Sequence, residues 1–564
     1  MFTCGIDFGS TYTTVSVFRE DSRILEAVIL SQDSPYIPTV VASRPHGKGL
    51  IFGRAAKSGT GKPGVIMFKA FKMLLAETDP EILSKRGFTD QYTPVEVTKA
   101  FLNDLADRVL ESFGEEKIDK VVIGAPEIWF KEVKTIAGRS ILRDICAEIP
   151  AIKTVQVVSE PAAASAFFAY NFNVLTGRAF EGNILLIDYG GGTLDISLTT
   201  VIADGEDGAH RFMRIKVIES NGAGENTDRH IGKAGIVYME SVMEEAIRRA
   251  GLLGEDEELV TDGKFYKAVN DLEEELKDRT DAISDMFSDC GIDDLDELDE
   301  EFTSVSYKGE YVEITYALLV EVYNQVIRDV FEEKLKEMTG FMEKHGIDYM
   351  DRTQDNFKIA LVGGFGNFYL VKKQMMDVFK FIARDRRQQN IIRNKADCEK
   401  AISLGTALLA SGEIGIRQTA PYSVGIFEMD MDGNPCLDYA FRYKEDIEFN
   451  KAYYPVNSAD GQMIITFFAS NAISSFVINM GHDERTAIVV PLKEEFKQRL
   501  QNIVNNEYRT AVVGFSLDSS EVLSIHIREY NLLEGKMGED DRVIELSRFG
   551  ELFEMAKVEK VISK

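Results

Sequence analysis

The chain has 564 residues, 64 basic and 93 acidic side chains, and a formal net charge of -29. At roughly 100–200 residues per domain, that length predicts three or four compact units, or fewer large ones. Hydrophobic residues make up 45% and aromatics 10%, which excludes wholesale disorder, and the acidity argues against a nucleic-acid binder that works by neutralising phosphates. A small anion held by backbone amides escapes that argument, because such a site is local. The N-terminal stretch lacks the basic, apolar and small-residue succession of a signal peptide, and no apolar run approaches the roughly 20 residues of a membrane-spanning helix. Cys4, Cys146, Cys290, Cys398 and Cys436 are scattered, odd in number and without a CxxC pair, which argues against a disulfide framework or a thiolate zinc site. The expectation is a soluble cytoplasmic protein with neither a membrane nor a nucleic-acid partner.

In chain order, Cys4 to Phe8 reads as a short buried strand, followed by a glycine turn and a period-two strand from Thr13 to Phe18. Pro94 to Phe113 places Val97, Phe101, Leu105, Val109 and Leu110 on one helical face, with Thr93 as its cap. Strands VVIGAP (121–126), VQVVSEP (155–161) and NILLIDYGGGTLDISL (183–198) interleave with helices, including one near 130–148, which indicates an α/β architecture. A helix-like acidic stretch covers 268–284. From Asp285 to Glu301, nine of seventeen residues are Asp or Glu without the glycine-centred spacing of a calcium loop, and a solvated surface loop is expected. A long helix is expected over 315–345, strand into glycine turn at FKIALVGGFGN (357–367), and a helix over 397–411. Beyond Gly412 the texture becomes β-rich, with one amphipathic helix from about Leu492 to Asn505.

One internal similarity dominates. Ile6-Asp7-Phe8-Gly9-Ser10-Thr11-Tyr12-Thr13-Thr14-Val15-Ser16-Val17 aligns without gaps onto Ile187 to Leu198, 181 residues later, where Asp188, Gly190, Gly191, Gly192, Thr193 and Asp195 fall. Each copy is a buried strand ending in Asp, a turn of Gly and hydroxyl residues, and a returning strand. Glycines let backbone N–H groups approach phosphate oxygens, Ser10, Thr11 and Thr193 add hydroxyl donors, and Asp7 and Asp188 point to one gap. Two carboxylates facing a polyphosphate require an intervening cation, so Mg²⁺ is implied, held through its waters. No GxxxxGK[ST] or complete GxGxxG occurs, which argues against a P-loop enzyme or a dinucleotide-dependent dehydrogenase.

These segments resemble the actin-like ATPase superfamily, and within it most closely the seventy-kilodalton heat-shock chaperones (DnaK type). GIDFGSTYTTVSVF and LLIDYGGGTLDISL are similar to the family's two phosphate loops, and VVSEPAAASAFFAY (157–170) and KADCEKAISLGTALL (395–409) to its connecting segments. ALVGGFGN (360–367) is similar to the adenosine motif, and APYSVGI (420–426) to the first strand of the substrate domain. The resemblance implies a duplicated, ribonuclease-H-like α/β core of two lobes (about 1–182 and 183–411), a linker at 412–420 and a mainly β domain over 421–564. It implies that Asp7 and Asp188 orient Mg²⁺ and the attacking water, and that Gly9, Ser10, Thr11, Tyr12 and Gly190 to Thr193 line the phosphates of ATP or ADP. Lys72, with Lys69 as its competitor, would stabilise the γ-phosphate, with Glu160 and Asp195 beside it. Glu274 and Lys277 would meet the ribose and adenine, and Gly363 and Gly364 would admit the adenosine.

The resemblance further implies a slow ATPase that binds extended peptide and works with J-domain and nucleotide-exchange co-chaperones. Only 33 residues follow Asn531, fewer than a full helical lid needs, so peptide exchange is expected to be fast. A small-molecule kinase on the same fold, with Asp7 as general base, and a polymerising actin-like scaffold are the alternatives. The sequence departs from the family where a small hydroxyl residue and a stacking arginine are usual: Phe365 and Asn367 stand there, and Asp278 follows Lys277. Weaker or altered base recognition is therefore expected in isothermal titrations with ATP, GTP and ADP. Tight, ATP-selective binding would refute it.

Overall fold

The apolar runs flanking each glycine turn form hairpins, as their period demands. The computed structural model describes residues 1–30, 34–44, 49–130, 137–204, 212–223, 232–254, 259–289, 292, 295–350, 355–379, 391–392, 395–429, 435–459, 462–465, 475–479, 486–491, 493–494, 509–531, 533–545 and 559–562. It divides into two compact units, Met1–Ile128 with Ile145–Gly415, and Trp129–Asp144 with Ile416–Lys564.

In the first unit, strands β1 (Thr3–Phe8), β2 (Tyr12–Arg19), β3 (Ile24–Ala27), β4 (Lys120–Ala125) and β5 (Val155–Ser159) lie in the order β3-β2-β1-β4-β5. A second sheet repeats the plan: β6 (Gly182–Tyr189), β7 (Leu194–Asp204), β8 (Phe212–Ala223), β9 (Phe357–Val362) and β10 (Ile391–Ile392) lie in the order β8-β7-β6-β9-β10. In both, the first strand pairs antiparallel with the second and parallel with the fourth. Even the register is conserved, for Asp7 stands opposite Thr14 and Asp188 opposite Asp195, positions related by the same 181-residue offset. The architecture is the mixed α/β core of the sequence expectation, with a β-rich region after it.

Helix α1 (Pro94–Phe113) starts where Thr93 accepts a hydrogen bond from the Glu96 backbone N–H and ends at Gly114 in the left-handed region. It buries Val97, Phe101, Leu105 and Val109, while Leu110 is half-buried. Helix α2 (Glu160–Thr176) opens on EPAAASAFFAY, apolar on every side, and is correspondingly buried all round from Glu160 to Tyr170. The acidic stretch is helical further than expected, as α3 (Gly263–Asp278) and α4 (Thr280–Asp289). The surface loop expected from Asp285 thus begins as helix, because Ile283 and Phe287 at i and i+4 are both buried and hold that turn against the core. Of its remainder, 290–291 and 293–294 lie outside the described residues. The long helix expected over 315–345 is two α-helices, α5 (Tyr316–Tyr323) and α6 (Asp329–Lys344), joined by a π-helical turn at Asn324–Arg328.

Helix α7 (Lys395–Ser411), which the sequence division groups with the second lobe, packs on β1, β2, β4 and α2 of the first. Its approach is close. A Cβ on Gly405 would stand 1.7 Å from the carbonyl oxygen of Ala163, and one on Gly5 would stand 2.1 Å from the backbone nitrogen of Ala407. Ser16 Oγ donates to Ser403 Oγ at 2.9 Å across the same contact.

In the second unit, β11 (Ser423–Met429), β12 (Pro435–Phe441), β13 (Ser475–Asn479), β14 (Thr486–Pro491) and β18 (Glu559–Ile562) form one sheet, in the order β12-β11-β13-β14-β18. The strands β15 (Arg509–Leu517), β16 (Leu523–Asn531) and β17 (Lys536–Glu545) form another. Val424, Ile426, Phe441, Phe476 and Ile478 of the first pack with Val513, Phe515, Ile525 and Ile527 of the second in one core. Of the helix expected from Leu492 to Asn505 only 493–494 are described, and residues 131–136 of the one near 130–148 lie outside the described residues, leaving Ala137–Ala147 as its described helical part. Within this unit Arg143 Nη1 pairs with Asp518 Oδ2 at 2.7 Å, and Arg139 pairs with Glu521.

Gly405→Ala is expected to lower stability by about 1–3 kcal/mol or more, because backbone rather than a movable side chain meets the added methyl. Urea denaturation checks it, and an unchanged midpoint would contradict the close crossing.

Candidate functional site

The two hairpin turns meet. A Cβ on Gly191 would lie 2.0 Å from Thr11 Oγ1, and one on Gly192 would lie 2.7 Å from Ser10 Oγ, so only glycine lets the loops approach this closely. Together they line a cleft of about 920 Å³ in the first unit, with Asp7, Gly9, Tyr12, Lys72, Glu160, Asp188, Gly190, Thr193, Glu274, Lys277, Gly363 and Gly364 on its walls. Thr11 Oγ1 is buried with no hydrogen-bond partner among the described residues, a polar atom aimed at the space between the loops. Gly363 adopts φ 82°, and a Cβ there would come 2.5 Å from Asp188 Oδ1, so glycine is required by conformation and by space alike.

At the closed end of the cleft sit three carboxylates and one ammonium. Lys72 Nζ lies 2.6 Å from Glu160 Oε1, both nearly fully buried, and 5.7 Å above the Phe8 ring. Burial and the neighbouring Glu160 charge push the Asp7 carboxyl up to about 7 against the pull of Lys72. Asp188 is raised well above the usual carboxylate range by burial, then by Glu160, Asp195 and Asp7. Asp195 is buried opposite Asp188 and contributes through that charge rather than by lining the cleft. One lysine cannot balance this many acids. The crowding of carboxyl groups around one lysine suits a divalent cation, whose charge would favour their ionised forms. Among the described residues, no three His, Cys, Asp or Glu side chains converge as a direct ligand set, so a cation here would keep much of its water.

Lys69, the competing lysine, turns elsewhere. It hydrogen-bonds Asn270 and sits 5.4 Å from the Tyr266 ring centroid, and burial lowers it to about 8.

The open side of the cleft holds a cross-lobe charge cluster. Lys57 reaches Glu273 at 3.4 Å and Glu274 at 3.3 Å. Lys277 pairs with Glu273 at 2.7 Å and lies 3.7 Å from the Tyr12 ring centroid. Although burial works to raise it, Lys277 and Lys57 hold Glu273 down to about 2. The anticipated Glu274 is therefore present, with its side chain 63% exposed, but the buried partner of Lys277 is its neighbour Glu273. Periodicity carried that signal, since Glu273 follows the buried Val269 by one helical step of four.

Where a small hydroxyl residue and an arginine were looked for, Phe365 packs edge-on to Tyr189 at 5.0 Å and stacks on Phe368 at 5.7 Å, while Asn367 donates to Glu399 Oε1 at 3.0 Å. Tyr36 donates to the other oxygen of Glu399 at 3.0 Å. Lys57, Tyr36, Glu273 and Glu399 line the cleft without having been singled out in the sequence.

Residues 65–206 match the family model described as Hsp70 protein, a stretch that carries Lys72, Glu160, and the second loop with Asp188 and Asp195.

Because the Asp7 carboxyl is raised from its ordinary value to about 7, its proton stabilises the ligand-free fold at low pH, and that contribution is lost as pH rises towards 7. The melting temperature of the ligand-free protein should thus decline from about pH 5 to about pH 7.5, and decline less in Asp7→Asn. Equal slopes in a thermal scan of the two proteins would contradict the assignment.

Proposed function

We propose that the chain, whose residues 65–206 match the Hsp70 family model, is a slow Mg²⁺-dependent ATPase of chaperone type whose nucleotide state sets the binding behaviour of its β-rich unit. The observation that carries this reading is the meeting of two glycine loops over a buried group of Asp7, Asp188, Glu160 and Lys72.

Backbone N–H groups of Gly9 to Thr11 and Gly190 to Thr193, with the hydroxyls of Ser10, Thr11 and Thr193, bind the phosphate oxygens. Asp7 and Asp188 would hold a magnesium ion brought with the nucleotide, and the ion would neutralise phosphate charge. Lys72, held in place by Glu160, faces the negative charge that grows on the transferring phosphoryl group. Glu160, Asp7 and Asp188 orient the attacking water and accept its proton. No side chain forms a covalent bond to phosphorus in this scheme, so its power rests on positioning and electrostatics.

Tyr12, braced by Lys277 and Lys57, fixes the first loop against the ribose side, and Glu274 lies at the same edge. With Asn367 engaged by Glu399 and Phe365 packed into the aromatic cluster, the base loses a stacking cation. Base selectivity is accordingly loose, and binding rests on the phosphates. ATP favours one conformation of the two-lobed unit, and the β unit presents a different surface in each state to extended peptide or protein segments. J-domain and nucleotide-exchange partners would act on the same cycle.

Asp188→Asn should retain nucleotide binding within a few-fold and lose hydrolysis by about 10²–10⁴. Single-turnover ATPase assays check the rate, with emission of the sole tryptophan, Trp129, recorded on adding ATP as the readout from the second unit. Wild-type protein without turnover, even with peptide and a J-domain helper, would remove the enzymatic half of the reading. Turnover that needs an added sugar or acid would point to a kinase, and filaments pelleting with ATP to a scaffold. Unchanged emission would remove the coupling.

A further inference from the structure

The three-stranded sheet of the second unit carries a polar constellation unrelated to the nucleotide cleft. Register sets Gly514 opposite His526 and Ser516 opposite Ser524 on β15 and β16, and sets His526 opposite Val543 and Arg528 opposite Asp541 on β16 and β17. Opposed residues share a face and alternate residues return to it, so Ser516, His526 and Asp541 stand along a diagonal of one face. They are joined by hydrogen bonds. Ser516 Oγ lies 2.7 Å from His526 Nε2, and His526 Nδ1 lies 2.9 Å from Asp541 Oδ2.

The chemistry of the pair sets the proton. An ionised carboxylate only accepts, so in the neutral ring Nδ1 carries the hydrogen, and the bare Nε2 accepts from the serine hydroxyl. Arg528 Nη2 donates to the same Asp541 oxygen at 2.9 Å and fixes that carboxylate. Gly514, two residues before Ser516 on the same face, leaves space that the Tyr454 ring covers, and the Tyr454 hydroxyl is buried with no partner among the described residues. A buried serine, a ring nitrogen able to take its proton, a carboxylate behind that ring and an unpaired hydroxyl donor nearby are the parts of an acyl-transfer site. Ser516 is only 5% exposed, which limits any substrate to a small one.

We propose that Ser516 is a nucleophile that accepts the acyl group of small esters, with His526 as general base and Asp541 as the residue that positions His526. Ser516 Oγ bonds to the ester carbonyl carbon as its proton passes to His526 Nε2. The tetrahedral adduct collapses, the C–O bond to the alcohol breaks, and the departing alkoxide takes the proton from His526. Water then attacks the acyl-serine with His526 again as base, releasing the acid and restoring the Ser516 hydroxyl.

The full-length chain treated with a fluorophosphonate, which loses fluoride on capture by such a serine, should gain one adduct that peptide mapping places on Ser516. The labelling rate should fall by about 10²–10⁴ in His526→Gln. Asp541→Asn should slow labelling and alter its pH profile without moving the adduct. Hydrolysis of a short-chain nitrophenyl ester should follow the same ranking. Wild-type protein with an intact circular dichroism spectrum that forms no adduct would overturn the proposal, whatever the variants do. So would labelling that survives unchanged in Ser516→Ala.

Discussion

The contact on which the first unit turns is the approach of two glycine loops to within a side chain's breadth of each other. Ser10 and Thr11 occupy the volume that a methyl group on Gly192 or Gly191 would need. Everything chemical about the cleft follows from that closeness. Because the loops meet, the strands behind them deliver Asp7 and Asp188 into one buried space, where neither ionises as readily as in water. The fold thereby gathers acidic groups whose ionisation burial disfavours.

Duplication supplies the symmetry, and its breaking supplies the division of labour. Both hairpins have the same register, but the position opposite the strand-ending Asp is Thr14 in the first and Asp195 in the second. Only the second copy therefore places two carboxylates across one rung, and its Asp188 feels the additional charge. Lys72 comes from the first lobe alone, where it pairs with Glu160 of the same lobe.

Much of this was readable from residue order because it is local chemistry repeated: Gly and hydroxyl residues between a buried Asp and a returning strand carry their meaning within twelve positions. Helix α1 was legible from its apolar period and Thr93 cap, and the β texture beyond Gly412 from alternation. What remained hidden was pairing at a distance. Tyr36 and Glu399 are 363 residues apart, and Lys57 and Glu273 are 216 apart. Nothing in a linear pattern marks such partners, and a helix-facing choice between Glu273 and Glu274 turns on a single 100° step. The helical start of the acidic stretch was obscured for the opposite reason, since charge density outweighed the two buried apolar residues that hold it.

The crossing of α7 over the first sheet has a consequence for biosynthesis. Strand β1 is made some four hundred residues before the helix whose Thr406 and Ala407 pack against Gly5. The first lobe therefore spends most of translation with one apolar flank uncovered, and its closure carries the large loop entropy of a contact spanning some four hundred positions. An apolar flank left uncovered for that long is prone to aggregation while it waits.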